Sequence, residues 1–251
     1  MILDVKNLTK HFTVERGIFK RETGIIKAVD GLSFNLEEYR TLGIVGESGS
    51  GKTTLSKLIL GLIQPDSGEI IFDRKIYSDF RKNVQIIFQN PYNSLDPKMK
   101  IIDLLKEPMI IHKNVNNKDM VPRIKELLKM VGLEANALDR YPIEFSGGQR
   151  QRICIARALI CQPRIIVLDE PISSLDLTVQ AQIMNLFATL KEKLALTYIF
   201  ISHNLAVIKK ISDQVIVMQS GKIVEQGSAA QIFNQPANPY TQSLLKAVTG
   251  H

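Results

Sequence analysis

The chain has 251 residues, 45% of them hydrophobic, and a formal net charge of +7. That length can bury one large α/β core, or a core with a smaller appended lobe, while two cysteines are too few to hold an iron–sulfur cluster alone. No apolar run reaches the roughly eighteen residues that a membrane span needs, and Met1-Ile2-Leu3-Asp4 lacks the basic-then-apolar pattern of a secretory signal, so a cytosolic chain is expected.

From the start, Leu3, Val5 and Leu8 alternate with polar neighbours as a half-buried strand does, and Leu32, Phe34 and Leu36 repeat the pattern. An antiparallel β-layer is expected there. Between the two, the polar, glycine-marked stretch from Thr13 to Lys27 reads as an excursion between strands. The basic residues of this early segment, Lys10, Arg16, Lys20, Arg21 and Lys27, are interrupted by Glu15 and Glu22, which favours a solvated loop over a nucleic-acid arm.

Thr41 to Val45 reads as a short buried strand, and the segment from Thr54 to Leu60 carries helical apolar spacing. Between them Gly46-Glu47-Ser48-Gly49-Ser50-Gly51-Lys52-Thr53 fits G-x-x-x-x-G-K-[ST]. In that pattern backbone N–H groups wrap a polyphosphate, lysine reaches the outer phosphates and the hydroxyl holds Mg²⁺. Strand, glycine turn and helix place the anion at a helix N-terminus, where unsatisfied N–H groups favour negative charge.

A turn from Gln64 to Gly68 leads to strands at Glu69–Phe72 and Val84–Phe88. The breaker-rich segment from Asn90 to Pro97 then changes the texture to helical, with helices expected over Ile101–Lys106 and Arg123–Val131 and a helical lobe over 91–160. Ser146-Gly147-Gly148-Gln149 opens a helix that contains both Cys154 and Cys161, whose thiols read as buried and inert. The turn is either a second anion site or a plain N-cap made by Ser146.

Ile165–Leu168 and Thr197–Ile201 are uninterrupted apolar runs suited to parallel strands, joined by a crossover helix over Val179–Lys193. Asp169 and Glu170 follow the first run at a carboxyl edge, where open α/β sheets bind ligands. Val215–Met218 and Ile223–Glu225 form a closing hairpin, and from Gln231 the tail reads as helix, proline turn and helix. No internal repeat is present.

With these segments in order, the chain resembles the ATP-binding cassette (ABC) ATPases. The resemblance rests on Gly46 to Thr53, Gln89, Ser146 to Gln149, Ile165 to Glu170, Ser174-Leu175-Asp176 and His203, and it covers nearly the whole chain. It implies an α/β P-loop NTPase core with an antiparallel β-layer and an inserted α-helical lobe. A single ABC domain would span 1–251, with the core in 1–90 plus 161–230 and a tail over 231–251. The cofactors implied are ATP and Mg²⁺.

By resemblance, Lys52 binds the β- and γ-phosphates, Thr54 and the loop N–H groups hold the inner phosphates, and Thr53, Gln89 and Asp169 take Mg²⁺. Glu170 acts as general base, Gln89 also senses the γ-phosphate, and His203 contacts it. Ser146, Gly147, Gly148 and Gln149 close on a nucleotide held by the opposite subunit, and Asp176 links the two sites. Phe12 stacks on adenine or, as an alternative, belongs to the core.

Gly43 to Lys52, Phe88 to Pro97, Arg140-Tyr141-Pro142 and Asn238-Pro239-Tyr240-Thr241 resemble one branch, the ATPases of oligopeptide, dipeptide and nickel importers. That branch implies membrane permease subunits, a second ATPase subunit (another copy or a related chain), an extracytoplasmic solute-binding protein met indirectly, no nucleic acid, and a peripheral place on the cytoplasmic face of the membrane. Peptide uptake is the expected task, with nickel or another small solute as the alternative and a soluble ABC ATPase as a remote one. Docking onto the permease is expected near Gln89 to Met99, where Tyr92 and Leu95 either dock or pack internally. Departures from the family pattern include Tyr39-Arg40 for Gly-Glu, Phe145 for Leu, Ser174 for Ala, Asn204 for Asp after His203, and Ala237-Asn238 for the usual His before Pro-Tyr.

Overall fold

The computed structural model describes residues 1–16, 21–90, 94–112 and 117–249. In chain order the elements are β1 (Leu3–Arg16), β2 (Arg21–Leu36), β3 (Thr41–Val45), α1 (Lys52–Ile59), β4 (Ser67–Phe72) and the single turns α2 (Arg74–Tyr77) and α3 (Phe80–Asn83). They continue with β5 (Val84–Ile87), α4 (Ile101–Ile111), α5 (Asn117–Met130), α6 (Gly147–Leu159), β6 (Ile165–Asp169), α7 (Leu177–Leu194) and β7 (Thr197–Ile201). The last are α8 (Leu205–Ile211), β8 (Gln214–Gln219), β9 (Lys222–Ser228), α9 (Ala229–Asn234) and α10 (Pro239–Thr249).

By contact density these residues fall into two compact units, Met1–Tyr77 with Thr197–His251, and Ser78–Leu196. In the first, β1 pairs antiparallel with β2 and with β4, giving the order β2-β1-β4. Val5 and Leu8, although three apart, are both buried because the register shifts between them, with Asn7 in the left-handed region at φ 47°. The backbone N–H of Asn7 donates to Ser33 Oγ at 2.9 Å, which satisfies the group that the bulge takes out of the ladder.

The expected excursion between the first strands is corrected here. Paired strand runs through Val14 opposite Gly24 and on to Arg16 opposite Arg21. Ile25 and Ile26 are exposed, so this stretch lacks the half-buried alternation by which a strand is read from sequence.

Also in the first unit, β3 lies between β7 and β8, parallel to both, and β9 closes the layer antiparallel to β8. Every residue of β3 and of β7 is buried, as continuous apolar runs require in strands covered on both faces. Full burial of a side chain such as Leu42 or Ile44 is worth about 1.5–3 kcal/mol. β3 thereby holds the loop that follows it on a rigid base.

In the second unit β5 and β6 pair in parallel, Val84 opposite Ile165 through Ile87 opposite Leu168. α4 buries Ile101, Leu104, Leu105 and Met109, one face at helical spacing, and it runs on past Pro108 to Ile111. α6 ends at Leu159, so Cys154 sits within it and Cys161 lies beyond its end, correcting the expectation that one helix holds both.

Candidate functional site

The residues singled out from the sequence come from both units. In the first, β3 delivers the glycine loop and α1 continues from it. Gly46 has φ 153°, and a Cβ there would stand 2.2 Å from Met218 O; Gly51 has φ 103° and would meet Ala28 O at 2.0 Å. Only glycine fits either place, because the φ is rarely open to a side chain and the backbone of a neighbouring segment fills the space. Gly51 is also the N-cap of α1, with no side-chain cap, so the helix presents its first N–H groups towards the loop.

Lys52 is buried, and its Nζ donates to Gly46 O at 2.7 Å, Glu47 O at 2.8 Å and Ser50 Oγ at 3.4 Å. Ser50 N donates to Glu47 O at 3.1 Å, and Gly221 N donates to Ser50 O at 3.0 Å. The ammonium is thus folded into its own loop, while Glu47, Ser48 and Gly49 are exposed, as is Thr53; Thr54 is half-buried.

Phe12, on β1 opposite Ile26, is 41% exposed, which removes the reading of it as a core residue. Lys10 Nζ lies 5.7 Å from its ring centroid. An exposed aromatic ring with the exposed Ile26 as its cross-strand neighbour is an apolar surface of the kind on which a base stacks. His203, exposed, stands between β7 and α8. The next residue, Asn204, caps α8 by accepting from Ala206 N at 3.0 Å and Val207 N at 3.4 Å, so here asparagine fulfils the capping role open to aspartate.

In the second unit the strand ends β5 and β6 bring Gln89 and Glu170 together: Gln89 Nε2 donates to Glu170 Oε2 at 3.4 Å. Glu170 has φ 50°, a left-handed backbone unusual for glutamate, and its carbonyl accepts from Ser173 Oγ at 3.1 Å. Asp169 is the last residue of β6. Ser174 Oγ donates to Gln89 O at 3.4 Å, so the serine that departs from the family's usual alanine adds a tie to this cluster.

Ser146 and Gln149 satisfy each other. Ser146 Oγ accepts from Gln149 N at 3.3 Å while Gln149 Oε1 accepts from Ser146 N at 3.0 Å, a capping box at the start of α6. Ser146 is therefore the N-cap of α6, which leaves its part towards an anion open. A Cβ on Gly147 would touch Leu175 at an ordinary 3.5 Å, whereas one on Gly148 would meet Val179 Cγ1 at 2.6 Å. Asp176 caps α7 by accepting from Val179 N at 2.9 Å. Phe145 is buried, with the Arg140 guanidinium 4.3 Å from its ring centroid.

Two contacts of the site have no counterpart in the sequence reading. Gln151 is fully buried in α6 and donates to Pro171 O at 2.7 Å, tying this helix to the residue after Glu170. Tyr240 accepts from Glu47 N of the glycine loop at 3.3 Å. Neither has a local signal, since each contact is made between distant segments. Of the expected docking residues, Leu95 is buried and packs internally, and Tyr92 lies outside the described residues.

A buried lysine inside a glycine loop between a parallel strand and a helix, with strand-end carboxylates in the same chain, defines a P-loop nucleotide-binding protein. A family model described as ABC transporter matches residues 29–173. The chain is 44% identical to the oligopeptide transport ATP-binding protein AppF of Bacillus subtilis over 98% of its length and 78% of the relative's. It is 44% identical to the dipeptide transport ATP-binding protein DppF of Escherichia coli (98% and 76%) and 47% identical to the oligopeptide transport ATP-binding protein OppF of Streptococcus mutans (98% and 81%).

Among solved structures, cbiO1 from Clostridium perfringens, part of the ABC transporter complex cbiONQ, superposes with a TM-score of 0.77 at 27% identity, covering 93% of this chain and 91% of that one. The ATP-binding cassette MJ0796, dimeric and bound to ADP and Pi after hydrolysis, superposes at 0.76 and 28%, covering 91% and 99%. The chain belongs to the ABC transporter family and is an ATPase of it.

Proposed function

We propose that the chain hydrolyses ATP at a site shared between two subunits and thereby powers uptake of oligopeptides or dipeptides. The hydrolytic part is carried by one observation, the Gln89 amide seated on the Glu170 carboxylate at the end of β6. The peptide part is supported by identity along 98% of the chain to ATP-binding proteins named for oligopeptide and dipeptide transport.

In this reading ATP stacks its adenine on Phe12, and the loop N–H groups from Gly46 to Thr54, that of Glu47 excepted, wrap its phosphates. Lys52 turns from the carbonyls of Gly46 and Glu47 to the β- and γ-phosphates. Thr53, Gln89 and Asp169 offer a hydroxyl, an amide and a carboxylate oxygen. That donor set fits Mg²⁺, which keeps waters and shares phosphate oxygens with one or two protein ligands. Thr53, Gln89 and Asp169 would hold it, and it would neutralise charge on the phosphate oxygens.

Glu170 takes a proton from the attacking water, which Gln89 orients, and His203 donates to the γ-phosphate. Catalysis is positioning plus electrostatic stabilisation. Ser146, Gly147, Gly148 and Gln149 close on the nucleotide of a second ATPase subunit, identical or related, and Asp176 links the two sites.

The segment 91–160 acts as the helical lobe, 1–90 with 161–230 as the core and 231–251 as the branch-specific tail. Permease subunits meet the lobe at a cavity of about 570 Å³ lined by Phe88, Asn90, Ser94, Pro108 and Arg157. Arg157 is fixed there by Glu107 at 2.6 Å and Ser94 O at 2.7 Å. No helix among the described residues is long and apolar enough to cross a membrane. In this reading attachment runs through the permease, at the cytoplasmic face. The extracytoplasmic binding protein is met only through that permease, and nucleic acid takes no part.

The test is reconstitution with permease and partner ATPase in vesicles. Hydrolysis should rise when peptide-loaded binding protein is present. A rate indifferent to the permease, or one raised by nickel and not by peptide, would sink the assignment.

A further inference from the structure

The tail contributes a group to the glycine loop. Tyr240 OH accepts the backbone N–H of Glu47 at 3.3 Å. What carries Tyr240 there is a clamp on Glu225 of β9, whose Oε1 accepts from Ala237 N at 2.8 Å and whose Oε2 accepts from Asn238 N at 3.2 Å. Asn238 completes it, giving Nδ2 to Val224 O at 3.2 Å and accepting from Tyr240 N at 2.8 Å. Burial would raise the Glu225 carboxyl, but the Thr241 hydroxyl and the Ala237 and Asn238 amides outweigh it and hold it below the ordinary glutamate range. The carboxylate form is the one the clamp uses.

On the loop side, the Glu47 peptide is a junction. Its carbonyl accepts from Lys52 Nζ at 2.8 Å and from Ser50 N at 3.1 Å, and its N–H goes to Tyr240. If Lys52 turns to phosphate, as the reading above requires, its bonds to Gly46 O and Glu47 O are lost. The bond from Glu47 N to Tyr240 OH does not involve Lys52, so nothing in that exchange breaks it.

We propose that Tyr240 is a positioning residue for nucleotide binding: carried by the Glu225 clamp, it holds the Glu47 peptide, and so the first turn of the loop, while Lys52 changes partners. The proposal rests on the nucleotide reading of that loop. Its ligand is the polyphosphate of MgATP, reached through Glu47 rather than touched. A phenylalanine would fill the same space, so the hydroxyl alone is at stake.

The experiment titrates the full chain with MgATP for wild type, Tyr240→Phe, Glu225→Gln and the double variant, and follows amide exchange at Glu47. Losing one neutral hydrogen bond predicts affinity weaker by about threefold to tenfold in Tyr240→Phe, with faster exchange at Glu47 and little change in turnover at saturating ATP. Glu225→Gln should weaken binding likewise, and the double variant no further than the worse single, since both act along one route. Unchanged affinity with unchanged Glu47 exchange in Tyr240→Phe overturns the brace. So does a loss confined to turnover at saturation, and additive losses in the double variant sever it from the Glu225 clamp. A wild-type chain that binds no MgATP refutes the loop reading instead.

Discussion

Gln89 and Glu170 are 81 positions apart in sequence, yet the amide of one donates to the carboxylate of the other at 3.4 Å. The register of β5 on β6, Ile87 opposite Leu168, sets this meeting, because both residues follow those strand ends. Glu170 also holds a left-handed backbone at φ 50°, a conformation that costs of order 1–3 kcal/mol in a non-glycine residue and persists where surrounding structure imposes it.

Glu170→Gln keeps the side-chain shape and removes the proton acceptor. Hydrolysis should fall by about 10²–10⁴, the usual worth of a positioned general base, while ATP stays bound and the dimer persists. Single-turnover assays with radiolabelled ATP check it, and rapid hydrolysis by the variant refutes the assignment.

Gly148→Ala should loosen the start of α6 against α7, because the new methyl would lie 2.6 Å from Val179 Cγ1. Overpacking of this kind costs about 1–3 kcal/mol. Urea unfolding should show that loss, and adding Val179→Ala should restore part of it by removing the clashing methyl. An unchanged midpoint in Gly148→Ala would show that the site yields without cost.

Tyr39→Gly is expected to stabilise the chain. Tyr39 has φ 63° and is 57% exposed, and its backbone N–H donates to Thr197 Oγ1 at 2.9 Å, a bond that glycine keeps. Relief of the left-handed penalty, about 1–2 kcal/mol, exceeds the roughly 0.5–1 kcal/mol of added unfolded-state entropy. Stability should rise by up to about 1 kcal/mol in urea titrations, and a decrease would show that the exposed ring makes a contribution larger than the strain.

Cys154 and Cys161 should resist alkylation in the native chain. Burial pushes the first thiol up to about 12 and the second to about 11, so at pH 8 neither supplies appreciable thiolate, the reactive form. Iodoacetamide should label neither until denaturant is added, and both afterwards, as mass spectrometry would count.

The parts legible in the sequence are those whose chemistry is local. Gly46 and Gly51 are dictated by backbone conformations within the loop, Ser146 and Gln149 by a capping box of fixed spacing, and β3, β6 and β7 by apolar runs that burial on both faces demands. The outer part of the β1–β2 hairpin was hidden because Ile25 and Ile26 face solvent. The pattern carries α4 only to Lys106, whereas the helix takes Pro108, ordinarily a breaker, into its body and continues to Ile111. The bond from Glu47 to Tyr240 crosses 193 positions and has no periodicity or spacing to announce it.

The reciprocal bonds of Ser146 and Gln149 bear on how two such chains would come together. Fixing a residue's backbone costs about 1–2 kcal/mol in lost freedom, and for this turn that loss is incurred when the chain folds. A surface ordered in advance spends none of its binding energy on becoming ordered, so the closure proposed above would be fast and readily reversed. Since a serine oxygen that accepts from Gln149 N retains its own proton, the turn can greet an incoming phosphate without first giving up the bond that shapes it.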